Sequence, residues 1–337
     1  MSILISSDVD GTALPWKKGE FQTEVNEVAF QSNKQAFSLA GTEGDTVVLN
    51  TGASRPVFQR AKKWTEQISY QYLACNNGST LYKKTEAGHE RMQGWEEYLE
   101  KTYHWSVSKV NQAMGESLKA LRFKKITRQE WPFKPYSGTS VFYRRGLIPH
   151  APRLNRLLKT HLYAELDPDG KVITFNTDKH GSALRLKAMR IITKKFKRNV
   201  LKALNDTKVK AIEQAYPVWD VFVFDHEQIG KKAVTQFLAN LVSAKAIVTM
   251  DDHNNGTDML EPQHYTLENG TEVPNYAIVT GDNIDFNAVK AKNPRAIKTK
   301  HHGNIGDALT QQRRLAEAEC GISRTNTSNE ANDGNVA

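Results

Sequence analysis

Two cysteines, Cys75 and Cys320, are all that the 337 residues contain. That is too few for a disulfide framework or a thiolate metal centre, and it suits a reducing compartment. Long apolar runs are missing as well: no stretch approaches the ~18 residues that a membrane span needs. No leader is expected either, because Met1-Ser2 runs directly into a strand pattern with neither a basic region nor a long apolar segment. A membrane partner is thereby excluded, and the cytoplasm is the expected location. There is no internal repeat. The stretch after Gly321, SRTNTSNEANDGNVA, is polar and aperiodic, so 318–337 reads as a disordered tail.

What is there fits a globular protein with a sizeable core. Hydrophobic residues make up 39% and charged residues 25%, with a mean hydropathy of −0.58. The net charge is +9, from 46 basic against 37 acidic residues. Much of the excess falls between Arg185 and Lys210, where ten Lys or Arg meet a single acid, Asp206. Ile192, Phe196, Val200 and Leu204 recur there at helical spacing, so the run reads as an amphipathic helix with a basic outer face. Such a face either is simply solvated or meets an anionic partner.

Strand and helix signals alternate in the first part, as in a parallel sheet with crossover helices. Strands are expected at 3–7, 46–50 and 72–75, and helices at 23–39 and 55–68. From about residue 85 the chain turns rich in Trp, Lys, Arg and Pro, with a strand at 139–144 and a DPDG turn at 167–170. Strand 221–224, helix 231–241 and strands 246–250 and 276–280 then resume the early pattern. The fold class is therefore α/β: a doubly wound, mostly parallel Rossmann-like sheet interrupted by an inserted α+β domain. The expected boundaries are 1–84 and 216–317 for the core and 85–215 for the insert.

The stretch SSDVDGTALP, residues 6–15, places Asp8 and Asp10 directly behind the apolar run Ile3-Leu4-Ile5. Two carboxylates at the mouth of a buried strand are costly unless paired or metal-bound. Open α/β sheets also place ligands at strand ends of this kind.

Asp8-Val-Asp-Gly-Thr12 resembles the first motif of the haloacid dehalogenase superfamily of phosphohydrolases. Three further stretches follow in that family's order: Val47-Val-Leu-Asn-Thr-Gly-Ala-Ser54, Lys231 in IGKKAVTQFL, and AIVTMDDHNNGTDML at 246–260. The insert and CNNGSTLY after the third strand are similar to the Cof-type and sucrose-phosphatase-like branch, whose insert is a small α/β cap. The resemblance implies a phosphatase in which Asp8 attacks phosphorus and Asp10 protonates the leaving oxygen and then activates water. It also implies that Thr51, Gly52 and Lys231 hold the phosphoryl oxygens, with Lys232 the competing choice beside Lys231.

Hard oxygen donors without a His or Cys cluster point to Mg2+, held by Asp8, Asp10 and Asp252. In the fourth motif, aligning Met259-Leu260 puts Asn255 on the family's Asn. It also puts Gly256 where a second Asp is expected and Asp251 where Gly is usual. Asp258 and Asp251 are thus weaker candidates, and Asp282 in IVTGDNID competes with Asp252 for the metal. Adjacent His301 and His302 point to different sides and read as surface or loop residues.

A small phosphorylated metabolite, such as a sugar phosphate, is the expected substrate. A nucleic-acid end or a phosphoprotein is the less favoured partner, and a non-catalytic binding protein on the same scaffold is the third reading. The oligomeric state is left open.

Overall fold

The computed structural model describes residues 3–17, 24–53, 55–126, 140–145, 153, 161–166, 172–176, 183–205, 208–215 and 219–324. The expected turn at 167–170 lies outside them. Among these residues the architecture is α/β, with two sheets.

The larger sheet has nine strands. Its centre runs β14 (Glu272–Val279), β12 (Ala246–Asp251), β1 (Ile3–Ser7), β2 (Thr46–Asn50), β3 (Tyr72–Cys75), all parallel. Every residue of β1 and β12 is buried. That is the expected state of parallel strands covered on both faces, and it explains their continuous apolar runs. Helices α1 (Glu27–Thr42) and α7 (Gly306–Cys320) pack against each other beside this sheet. Antiparallel strands flank the centre: β4 (Thr80–Thr85) and β5 (Gly88–Arg91) beyond β3, and β13 (His264–Thr266) beyond β14. The two-residue β15 (Ile297–Lys298) also pairs with β14.

The second sheet is antiparallel, with six strands in the order β10 (Val209–Ala215), β11 (Trp219–His226), β9 (Val172–Asn176), β8 (His161–Leu166), β7 (Ser140–Arg145), β6 (Lys124–Ile126). Helices α3 (Val107–Ala120) and α4 (Ala183–Ala203) pack on each other beside it. Helix α2 (Gln93–Tyr103) precedes α3. On α4, Ile192, Phe196 and Val200 are buried, as is Leu204 just beyond its end, while Arg190, Lys194, Lys195, Arg198 and Lys202 are exposed.

Three expectations are corrected here. Strand 221–224 does not resume the parallel core, because β11 pairs with β10 and β9 in the second sheet. Its burial alternates, Phe222 and Phe224 inside with Val221 and Val223 half-exposed, as suits an antiparallel strand with one buried face. The hairpin β4–β5 keeps the first sheet going to Arg91, so the sheets divide near 92 and 227 rather than at 85 and 215. Residues 318–324 are not a disordered tail. Helix α7 runs to Cys320, Ile322 is buried, and Arg324 bonds Asp45 at 2.7 Å and Glu317 at 2.9 Å. The rest of the expected tail, 325–337, lies outside the described residues.

A further difference is local. The helix expected over 55–68 is broken into Arg55–Phe58, a 3-10 turn Gln59–Ala61, and Lys62–Thr65.

Candidate active site

Strands β1 and β12 are adjacent and parallel, with Ser7 level with Met250. Their C-terminal ends therefore bring the next acids together, and the Asp8 N–H donates to the Met250 carbonyl at 2.9 Å. Asp8, Asp251 and Asp252, all buried, offer oxygens that lie within 4.8 Å of one another.

Lys231 enters this cluster from the first residue of α5 (Lys231–Leu241). Its ammonium, 1% exposed, donates to Asp8 Oδ1 and to Asp251 Oδ2, each at 2.5 Å. The backbone carbonyl of Lys231 accepts from Asn50 Nδ2 at 3.1 Å and from Thr235 Oγ1 at 2.9 Å. Thr235 is itself 2.9 Å from Ser6 Oγ. Lys231 is thus held against both β1 and β2. Lys232 is exposed, which separates the two neighbouring lysines.

Three carboxylates against one ammonium leave a formal charge of −2 (3 minus 1) in a buried place. Burial lowers the Lys231 pKa, but Asp251 and Asp8 outweigh it and hold the ammonium above the ordinary lysine value. Burial pushes Asp251 upward, to about 7, with Asp8 adding to the rise and Lys231 opposing it. Asp252 is raised as well, by burial and then by Asp8, against the pull of His302. A cluster of hard oxygens short of positive charge fits a divalent cation of the Mg2+ type.

The loop after β1 folds back on itself. The Leu14 N–H donates to the Val9 carbonyl at 2.8 Å and the Ala13 N–H to the Asp8 carbonyl at 3.2 Å. Asp10, half-buried, accepts from the Trp16 indole N–H at 2.9 Å. Gly11 has φ +82, and a Cβ there would lie 2.2 Å from Asp252 Oδ2, so only glycine lets this loop pass the acid.

On the neighbouring strand end, Thr51 is buried and its hydroxyl accepts from the Ala53 N–H at 3.0 Å, which leaves its own O–H to donate. Gly52 beside it is exposed. The backbone of Asn255 lies in the 3-10 turn Asn254–Gly256.

The weaker candidates divide. Asp251 belongs to the cluster. Asp258 does not; its Oδ2 accepts from the Lys232 N–H at 3.2 Å and so caps the helix that carries Lys231. Asp282, 94% exposed, pairs with Lys298 at 2.7 Å at the surface.

Two further contacts were not expected from the sequence, which read His302 as a surface or loop residue. Trp16 on Asp10 is one. The other is His302, an exposed residue like its neighbour His301, whose Nε2 lies 3.1 Å from Asp252 Oδ2.

No protein-family model matches the sequence, and no curated protein does so either. Among solved structures, the chain is similar to a sucrose-phosphatase from Synechocystis sp. PCC6803 at 14% identity, over 93% of this chain and 99% of that one, with a TM-score of 0.44. It is also similar to a haloacid dehalogenase-like hydrolase from Bacillus subtilis, at 12% identity over 93% and 92% of the two chains, TM-score 0.48. A haloacid dehalogenase-like hydrolase from Bacteroides thetaiotaomicron gives 14% identity over 92% and 99%, TM-score 0.49. Likeness at this level does not extend to activity or substrate.

Proposed function

We propose that this chain is a phosphomonoester hydrolase of the haloacid dehalogenase type, dependent on Mg2+ and acting through an aspartyl phosphate on a small metabolite such as a sugar phosphate. The observation that carries this reading is the Lys231 ammonium 2.5 Å from Asp8 Oδ1 inside a buried three-carboxylate cluster. A nucleophile is thereby fixed beside a fixed cation at the end of the sheet where open α/β folds take ligands.

The chemistry follows from what a phosphate monoester needs: an in-line nucleophile, charge neutralisation and a proton for the leaving group. A carboxylate oxygen of Asp8 bonds to phosphorus as the ester P–O bond breaks, and the Asp10 carboxyl gives its proton to the departing oxygen. Water then attacks phosphorus and loses a proton to Asp10. The bond to Asp8 breaks, inorganic phosphate leaves, and both acids are restored. Trp16 aims Asp10 by its indole N–H. Lys231, the Thr51 hydroxyl and the Gly52 N–H would face the phosphoryl oxygens. Mg2+ would be held by Asp8, Asp252 and the Asp10 carbonyl, and when bound it neutralises phosphoryl charge.

The depth of the cluster, with Lys231 and Asp251 almost wholly buried, favours one compact phosphoryl group over a long polyanion. The exposed cations of α4 are what favours the macromolecular alternative. Phosphate release over phosphorylated sugars, nucleotides, peptides and nucleic-acid ends, with and without Mg2+, tests both. Steep loss of activity with salt would point to a polyanion, whereas a single buried phosphate gives a shallow response. Asp8→Asn keeps the side-chain shape and removes the nucleophile, so it is expected to abolish release with an unchanged circular dichroism spectrum. Wild-type release by that variant would overturn the mechanism.

A further inference from the structure

Gly256 is not a glycine for the sake of its backbone. Its φ of −110 and ψ of 3 are open to other residues. What a side chain there would meet is Asp251: an ideal Cβ would fall 1.7 Å from Asp251 Oδ2, 2.2 Å from Cγ and 2.9 Å from Oδ1. The Asp251 carboxylate therefore fills the volume into which a side chain at 256 would project. That same carboxylate holds Lys231 at 2.5 Å and accepts from the His253 N–H at 2.9 Å. Position 251 ends β12, and position 256 closes the 3-10 turn that follows it.

From this overlap we infer that 251 and 256 are two addresses for one carboxylate, mutually exclusive and exchangeable, and that Asp251 is the positioning residue that presses Lys231 onto Asp8. The chain fills the strand address and leaves the loop address bare. A carboxylate reaching the same point from the loop would meet the same ammonium. The inference rests on the proposed phosphatase reading for its kinetic test, but the overlap itself does not depend on that reading.

Four variants in the full-length chain decide it: Asp251→Gly, Gly256→Asp, the double Asp251→Gly/Gly256→Asp, and the double Asp251→Gly/Gly256→Ala. Each single change is expected to lower kcat by about 10²-fold, since a misplaced catalytic group costs on that order, with KM changed much less. The exchanged double is expected to regain kcat to within about tenfold of wild type, a coupling far from additive. The Gly256→Ala double refills volume without charge, so it is expected to regain thermal midpoint and not kcat, which separates positioning from packing.

Additive losses in the exchanged double, or equal recovery in both doubles, would overturn the inference. If the wild-type chain releases no phosphate, the phosphatase reading fails by itself. The exchange is then read from a crystal structure of the exchanged double. The carboxylate introduced by Gly256→Asp within hydrogen-bond distance of Lys231 Nζ supports it; the same group turned to solvent overturns it.

Discussion

Asp252 and Asp282 both follow the end of a buried strand, and both sit in stretches that read as an acidic motif. Their surroundings part them. Asp252 lies against Asp8 and His302 in a buried cluster, while Asp282 is spent on a surface pair with Lys298. Exposed pairs of that kind contribute little to stability. Asp252→Ala is therefore expected to raise the Mg2+ concentration for half-maximal activity by about tenfold or more, as when a hard cation loses one of few carboxylates. Asp282→Ala is expected to leave it near wild type. Magnesium titrations of the two variants check this, and the reverse order would move the metal to the other strand. That Asp8 lies buried at a strand end was legible, because two carboxylates behind an apolar run have few structural uses. Asp251 was legible only as a weaker metal candidate, and its contact with Lys231 could not be read from the sequence because it depends on the helix start packing against the end of β12.

Among elements, β11 is the one whose reading changed most, and the sign was in its own letters. VFVF at 221–224 of β11 alternates in burial, whereas ILISS of β1 is buried throughout. The hairpin strand β5, GHER, went unseen because an edge strand needs no apolar content. β11 ends at His226, whose ring packs against Tyr103 and Trp105 and whose Nδ1 accepts from the Gln228 N–H at 3.2 Å.

Burial lowers the His226 pKa, Lys208 adds to this, and Glu227 and Asp225 oppose it. The native ring thus stays neutral where the unfolded one, with its value near 6.5, takes up a proton. The unfolded state then binds more protons, so this residue's contribution to stability is lost as pH falls below about 6.5. His226→Gln is expected to lose less thermal midpoint than wild type between about pH 7.5 and about pH 5.5. His89, also lowered by burial and then by Arg55 and Lys84, keeps part of the slope in both proteins. Parallel midpoint curves for the two proteins would refute the assignment.

On the scale of the whole molecule, the two sheets share one apolar cluster that runs from Leu4 and Val48 through Trp95, Leu99 and Leu238 to Phe175 and Phe222. Trp95 on α2 stands at the join. It is fully buried, lies tilted against Phe237 of α5 with ring centroids 5.0 Å apart, and donates its indole N–H to the Gly78 carbonyl at 3.0 Å. Trp95→Ala is expected to cost ~3–5 kcal/mol, the range for a large aromatic removed from a core. Because the cluster is continuous, both sheets should still unfold in one transition, followed by denaturant titration with far-UV circular dichroism and tryptophan fluorescence together. Two separated transitions in the wild-type protein would mean that the sheets are independent units.

One buried side chain ties the beginning of this chain to its far end. Asn33 donates through Nδ2 to the carbonyls of Thr12 and Gly303, at 3.2 and 2.7 Å, and its Oδ1 accepts from the N–H groups of Ile305 and Gly306, at 2.9 and 3.1 Å. The loop that carries Asp8 and Asp10 is made long before the segment Gly303–Gly306 that meets it through Asn33. At about 5–20 residues per second, the roughly 300 residues between them take on the order of 15–60 s to translate. During that interval the strand partner β12 and the cation of Lys231 also arrive late, so the nascent chain carries Asp8 without the partners that bury it. A chain halted before Gly303 lacks this brace, and its Asp8 loop is held on one side only.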